Sequence, residues 1–259
     1  MAVKSTIEWT EATWNPTTGC DRTSPGCDNC YALTLAQRLK AMGQPKYQRD
    51  GNERTSGPGF ALTLHEGALH VPEQWSAPRT VFVNSMSDLF HPEVPTAFIE
   101  RVFDVMRHTP RHTYQVLTKR SKRLAQLARA IDWPANVWMG VSIESDDYTF
   151  RARHLQGVPA AVRFLSLEPL LGPLPSLKLS GIDWVIVGGE SGRGARQVDA
   201  RWVRDLHRRC RDAGVPFFFK QWGGRTPKAG GRTLDRRTWD EMPEPADPRL
   251  RLDELAVLG

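Results

Sequence analysis

The sequence predicts an α/β fold, a partial or full parallel (β/α) barrel, and three observations predict it. Six short, uniformly apolar runs rich in β-branched and aromatic residues recur along the chain. Amphipathic stretches of helical period fall between several of them. Each run is followed by charged or amide side chains, where the strands of such a barrel deliver residues to a common mouth.

The runs are 80–84 (TVFVN), 113–118 (TYQVLT), 137–143 (VWMGVSI), 162–167 (VRFLSL), 184–188 (WVIVG) and 216–220 (PFFFK). They are too short for helices and too evenly apolar for strands with one wet face, so they read as strands buried on both sides. A further strand near 6–9 would bring the total to about seven. Residues 31–42 (YALTLAQRLKAM) read as a helix ended by Gly43. Stretch 95–109 sets Phe98, Val102, Val105 and Met106 on one face, and 121–131 repeats Leu124, Leu127 and Ile131. Stretch 199–213 opens on the N-cap Asp199 and stops at Gly214 and Pro216. Residues 1–225 therefore read as one barrel domain, with a cysteine loop at 15–31 and a long excursion at 44–78 holding a short element near 61–69. Residues 226–259, rich in Gly, Pro and Arg, read as a peripheral extension.

A chain of 259 residues with 40% hydrophobic and 25% charged residues has the composition of a soluble globular protein. No apolar run approaches the roughly 18 residues of a membrane span, and the first residues lack a signal peptide's apolar core. The expected setting is cytoplasmic, without membrane. The net charge of +6 permits a polyanionic partner. Much of the arginine lies at 201–211 and 232–237, where a solvated helix face and a basic tail are the plainer explanation.

Of four cysteines, three fall together in Cys20-Asp-Arg-Thr-Ser-Pro-Gly-Cys27-Asp-Asn-Cys30. Two intervening residues bring Cys27 and Cys30 to one site, and the Ser-Pro-Gly turn can fold Cys20 back towards them. Three thiolates leave a tetrahedral zinc or a four-iron cluster one position short. A structural zinc knuckle would fill it with a histidine such as His65 or His91, and unliganded core cysteines are the remaining alternative. Cys210, mid-helix, reads as a small buried residue. After the runs come Ser85 and Asp88; Lys119 and Arg120; Ser142 and Glu144; Ser166 and Glu168; Gly188, Gly189 and Glu190; and Lys220. The glycines from 188 to 194 would let backbone approach a ligand.

Several segments carry a resemblance: WNPTTGC (14–20), CDNCYA (27–32), NSMSDLFH (84–91), QVLTKR (115–120), EPLLGP (168–173), VIVGGESG (185–192) and FFFKQWGG (217–224). Over nearly its full length the chain resembles a phage-associated family of unknown function with a three-cysteine motif. That family looks related to the radical S-adenosylmethionine superfamily. The resemblance implies a barrel of that type, with Cys20, Cys27 and Cys30 holding a [4Fe-4S] cluster whose open iron takes S-adenosylmethionine. It further implies cofactor contacts from Tyr31, Ser85, Asp88, Ser142, Glu144, Gly188 and Gly189. Ser85 and Asp88 would meet the methionine amino group, and Ser142 and Glu144 the ribose. An external donor such as flavodoxin or ferredoxin would supply electrons. As ionisable residues at strand ends, Glu168, Glu190 and Lys220 are candidates for substrate handling or, equally, for a structural ion pair.

The pattern departs from that superfamily in three places. Six residues, not three, separate Cys20 from Cys27; Asn29 stands where an aromatic is usual, with Tyr31 following; and Gly188-Gly189-Glu190 follows the sixth strand rather than the second. The expected substrate is a nucleic acid or nucleotide, with Lys119, Arg120, Arg193, Arg196 and Lys220 as phosphate contacts. The alternatives are a zinc- or cluster-stabilised nucleic-acid-binding protein without catalysis, and a scaffold subunit with a vestigial site.

Overall fold

The computed structural model describes residues 7–226 and 228–244. Its elements run β1 (Ala12–Trp14), β2 (Thr17–Thr18), α1 (Tyr31–Ala41), β3 (Thr63–Leu64), β4 (Thr80–Val83), α2 (Thr96–His108), β5 (Thr113–Thr118) and α3 (Ser121–Leu127). Then follow β6 (Val137–Ser142), α4 (Phe150–Gln156), β7 (Val162–Leu167), β8 (Trp184–Gly188), α5 (Ala200–Asp212) and β9 (Phe217–Gln221). Seven strands form one parallel sheet in the order β1-β4-β5-β6-β7-β8-β9. Each main-sheet strand pairs with the next in the chain, the order of a barrel wall, and no pairing closes β9 onto β1 among the described residues. The fold is the partial form of the expected barrel. β2 and β3 make a separate antiparallel pair.

Alternation along the strands produces two cores. Val81, Val83, Tyr114, Val116, Val137, Met139, Val141, Leu165, Val185 and Val187 face the helices and pack with Phe98, Ile99, Val102 and Leu206. Their strand neighbours point inward: Phe82, Trp138, Phe164, Trp184, Ile186 and Phe218 form a second cluster with Trp9. Trp184 is its hub, with ring centroids 6.2 Å from Trp9, 5.9 Å from Trp138 and 6.0 Å from Phe218. Towards the C-terminal ends the inward residues shrink or turn polar. Trp138 gives way to Gly140 and Ser142, Phe164 to Ser166, Ile186 to Gly188, and Phe218 to Lys220. The N-terminal half of the barrel is therefore an aromatic plug, and polar lining is confined to the other end.

Two expectations need correction. The first strand is Ala12–Trp14, not 6–9. Thr6 lies outside the described residues, and Trp9 precedes the strand and turns into the plug. α4 was not read from the sequence, because its apolar face is short and Arg151 occupies a buried position on it. The other helices fall where the periodicity puts them, and Asp199 caps α5 by accepting the Arg201 N–H at 2.8 Å.

Beyond β9 the described residues to 244 return along the sheet edge. Phe219 N–H donates to Trp239 O at 2.9 Å, Trp184 Nε1 donates to Glu241 O at 2.8 Å, and Leu234 is fully buried. An exposed edge strand is a template for unwanted pairing, and this return covers it. The arginines of α5 pair with acidic neighbours: Arg201 with Asp199, Arg204 with Asp235, Arg208 with Asp205. That is the solvated face the plainer reading expected. Among the described residues no helix is long and apolar enough to cross a membrane.

Candidate metal and cofactor site

The chain leaving β1 is stitched to the chain leaving β4. Gly19 N–H donates to Met86 O at 3.0 Å, Ser87 Oγ to Gly19 O at 2.8 Å, and Thr17 pairs with Ser87 through their hydroxyls at 2.7 Å. This delivers Cys20 to the C-terminal rim. A single 3-10 turn, Pro25–Cys27, follows the Ser24-Pro25-Gly26 corner, and Cys30 directly precedes α1. All three cysteines are free and partly exposed.

Their thiols sit in different fields. Burial pushes Cys20 up to about 12, with the Asp88 charge adding and Arg120 opposing. Burial also raises Cys30. At Cys27 burial acts the same way, but Lys119 and hydrogen bonds from the backbone of Thr23 and Ser24 outweigh it, so the thiol lies below its ordinary value. Cys27 in turn raises both other thiols by charge repulsion, as neighbours at one site do.

Neither histidine proposed as a fourth ligand is aimed at these sulfurs. His65 Nε2 lies 2.8 Å from Thr18 Oγ1. His91 Nε2 lies 2.9 Å from Asp21 Oδ2, and its Nδ1 accepts the Glu93 N–H. A tetrahedral zinc, with Zn–S bonds of about 2.3 Å, holds its sulfurs about 3.8 Å apart. Among the described residues no cysteine joins two other ligand-type side chains within 4.8 Å. The knuckle geometry is absent from the described residues.

The remaining predicted residues divide into two groups. Ser85 stays at the mouth, its hydroxyl 3.2 Å from Asn15 Nδ2 and its carbonyl accepting from the Tyr31 hydroxyl. Glu168 and Lys220 meet on the inner wall, Nζ to Oε1 at 3.1 Å, with Ser166 Oγ 3.4 Å from Oε2. Ser142 is buried on the same wall. The second group is committed to the protein. Asp88 accepts from Thr118 Oγ1 at 2.7 Å, Lys119 N at 3.1 Å, Phe90 N at 3.0 Å and Arg120 Nη1 at 3.1 Å. Glu190 accepts from Asn29 Nδ2 and Arg196 N, both at 2.9 Å, and from the Arg196 guanidinium. The two glycines give room to neighbouring protein atoms. A Cβ on Gly188 would lie 2.4 Å from Glu168 Oε1, and one on Gly189 would lie 2.0 Å from Trp222 O.

A family model for proteins of unknown function matches residues 4–243. The chain belongs to that family, DUF5131. No curated relative matches the sequence. Among solved structures the DUF5131 chain is similar to spore photoproduct lyase complexed with dinucleoside spore photoproduct, at 12% identity and a TM-score of 0.47, over 81% of this chain and 63% of that one. A mutant of the same lyase with bound AdoMet and the dinucleoside matches at 12% identity and 0.46, over 81% and 63%. A further mutant matches at 13% and 0.46, over 73% and 58%. The chain thus spans 58% to 63% of the length of these structures. The fold assignment here rests on the chain's own strand order.

Sequence reasoning missed three features of this DUF5131 member, two of them the partners of residues it had named, Glu144 and Arg196. Asn84, just past β4, has φ of 60° and is buried, with Nδ2 lacking a partner. Glu144 is fully buried against Arg151 at 2.9 Å, yet its Oε1 also lacks one. Glu144 lies under the cysteine loop, since a Cβ on Gly26 would stand 3.3 Å from its side chain. Thirdly, Arg196 donates to Pro25 O at 2.8 Å and pairs with Asp28 at 3.4 Å, so the loop after β8 holds the cysteine loop from the far side. The buried arginine four residues before Leu155 was the one available signal for the second.

Proposed function

We propose that this DUF5131 member is an iron–sulfur enzyme of the radical S-adenosylmethionine type. The observation that carries the reading is the placement of Cys20, Cys27 and Cys30, all free, on the rim of a partial barrel. A four-iron cluster takes its cysteines on separate irons and spreads the sulfurs wider than one zinc does, which suits this loop. Two buried polar atoms near the rim without partners, Asn84 Nδ2 and Glu144 Oε1, suit a polar cofactor as well, because a native fold rarely leaves such atoms unpaired.

The chemistry supplied there is one-electron cleavage of the S-adenosylmethionine sulfonium, giving methionine and a 5′-deoxyadenosyl radical that takes hydrogen from substrate. The three cysteines hold the cluster. Ser85, fixed by Asn15, and Tyr31, fixed on the Ser85 carbonyl, face the methionine end. Ser142 and Glu144 take the ribose hydroxyls. Glu168 and Lys220 meet substrate on the inner wall, while Asp88, Glu190 and the paired glycines act by holding the loops. An external donor such as flavodoxin or ferredoxin supplies the electron, and the four free thiols suit the reducing cytoplasm.

A nucleic acid or nucleotide is the substrate class we favour. Arg193 lines a cleft of 740 Å³ with Arg225, Gly192, Gly194 and Ala195, and neither arginine has an ion pair among the described residues. A second, smaller cleft shares Ala195 with it and is lined by Trp222. Arg120, Arg196 and Lys220 are held by carboxylates, so phosphate contact falls to Arg193 and Arg225, with Lys119 nearer the thiols. The phage association implied by the resemblance fits the same class.

The deciding experiment is anaerobic reconstitution, iron and sulfide quantification, then reduction with S-adenosylmethionine present and detection of 5′-deoxyadenosine. A fully loaded cluster that releases none would overturn the reading. Zinc without iron in anaerobically purified protein would favour the non-catalytic nucleic-acid-binding alternative.

A further inference from the structure

Cys20 differs from its two partners in what touches it. Backbone N–H groups donate to Cys27 and Cys30, and Lys119 acts on both through its charge, but Cys20 receives a charged donor directly, Arg120 Nη1 at 3.3 Å from Sγ. The same Nη1 lies 3.1 Å from Asp88 Oδ2, and Nη2 donates to Asp21 O at 3.0 Å. The Arg120 side chain is 10% exposed and that of Asp88 8%. Asp88 is itself pinned by Thr118 Oγ1, Lys119 N and Phe90 N, so the guanidinium has a fixed seat.

Several roles compete for such an arginine. A phosphate contact is poorly served, because both terminal nitrogens are already directed into protein. Tethering the cysteine loop is served by the Nη2 bond to Asp21 O. The direction of Nη1 towards a sulfur is not needed for either, and it brings a desolvated cation to one thiolate where salt screens it little.

We infer that Arg120 is a positioning residue that sets the reduction potential of a cluster on Cys20, Cys27 and Cys30, by donating an N–H to Cys20 Sγ and fixing a cation beside it. The inference rests on the cluster reading above. Reduction adds one electron, and so one negative charge, to the cluster and its thiolates. A donor and a cation at the sulfur stabilise that more negative state and raise the potential. Asp88 accepts from the same Nη1 and opposes this with its own charge at Cys20, so removing Arg120 leaves that charge uncompensated beside the sulfur.

The test is a redox titration followed by electron paramagnetic resonance on reconstituted wild type, Arg120→Met and Arg120→Lys. Arg120→Met is expected to shift the midpoint to more negative potential, leaving a smaller reduced signal at a fixed dithionite poise. Arg120→Lys, keeping the charge but not the fork, is expected to fall between. An unchanged midpoint in Arg120→Met with wild-type iron and sulfide would overturn the inference. Should Arg120→Met take up no iron, Arg120→Lys decides by the same comparison. If neither variant loads iron while wild type does, Arg120 is an assembly tether and the inference falls. A wild type that takes up no iron sinks the cluster reading itself.

Discussion

Asn29 and Glu190 meet across the rim, the amide nitrogen donating to Oε2 at 2.9 Å, and this contact joins the cysteine loop to the loop after β8. Arg196 completes the latch by holding Glu190, Asp28 and Pro25 O together. The Glu190 carboxyl lies below its ordinary value of 4.5: burial raises it, but hydrogen bonds from Arg196 and Asn29 and the Arg196 charge win. A carboxylate depressed on folding stabilises the fold above its unfolded value and loses that contribution as pH falls through the folded one. The latch is therefore expected to be complete above about pH 4.5 and to open in more acid solution. Glu190→Gln should flatten this acid limb in urea denaturation followed from pH 3 to 6. An unchanged limb would show that Glu190 does not carry it.

Each of Cys20→Ser, Cys27→Ser and Cys30→Ser is expected to abolish the visible absorbance of the reconstituted protein, since thiolates are the ligands. Cys210→Ala is the control. It sits fully buried on α5 and should keep the absorbance while losing about 1 kcal/mol of stability. Equal loss of absorbance in all four would mean that the colour reports folding alone.

Arg151→Met strands Glu144 as an unpaired buried charge, with the pair 2% and 0% exposed. Breaking such a pair from one side costs about 3–5 kcal/mol, read as a lower urea midpoint. Arg151→Met with Glu144→Gln should recover much of it. The double variant should still weaken S-adenosylmethionine binding, because Oε1 is given a role there that packing does not provide.

Arg193→Ala with Arg225→Ala is expected to weaken binding of a labelled single-stranded oligonucleotide by at least tenfold in fluorescence anisotropy. The slope of log affinity against log salt should shrink by about 1.4, at about 0.7 for each phosphate released on a single strand. Arg208→Ala with Arg211→Ala, on the paired face of α5, should change neither quantity. The reverse pattern would move the interface to α5.

What the sequence disclosed follows from where the free energy of each residue is decided. The strands from β4 to β9 were legible because a strand buried on both faces needs apolar residues at nearly every position. β1 was misplaced because Trp9 belongs to the plug, where a tryptophan outside any strand is as apolar as one inside. The cysteines were legible from spacing alone. The duties of Asp88 and Glu190 were not, because strand-end position brings a carboxylate to the rim without saying whether a ligand or an arginine will meet it. Arg120 and Arg196 come from loops that the sequence separates from Cys20 by 100 residues and from Asp28 by 168. Gly188 and Gly189 carried a pattern that reads as ligand approach, and the partners that fill their space, Glu168 and Trp222, could not be identified before the fold was known.

The aromatic plug has a consequence for the order of events. With Trp9, Trp138, Phe164, Trp184 and Phe218 filling the far end, the polar inner wall cannot be reached through that end, and the thiols stand at the other. Two reactants that share one doorway must take turns. Whatever lodges deeper has to arrive first and depart last, so a substrate seated at Glu168 and Lys220 would have to enter before the cofactor and wait for the spent cofactor to leave.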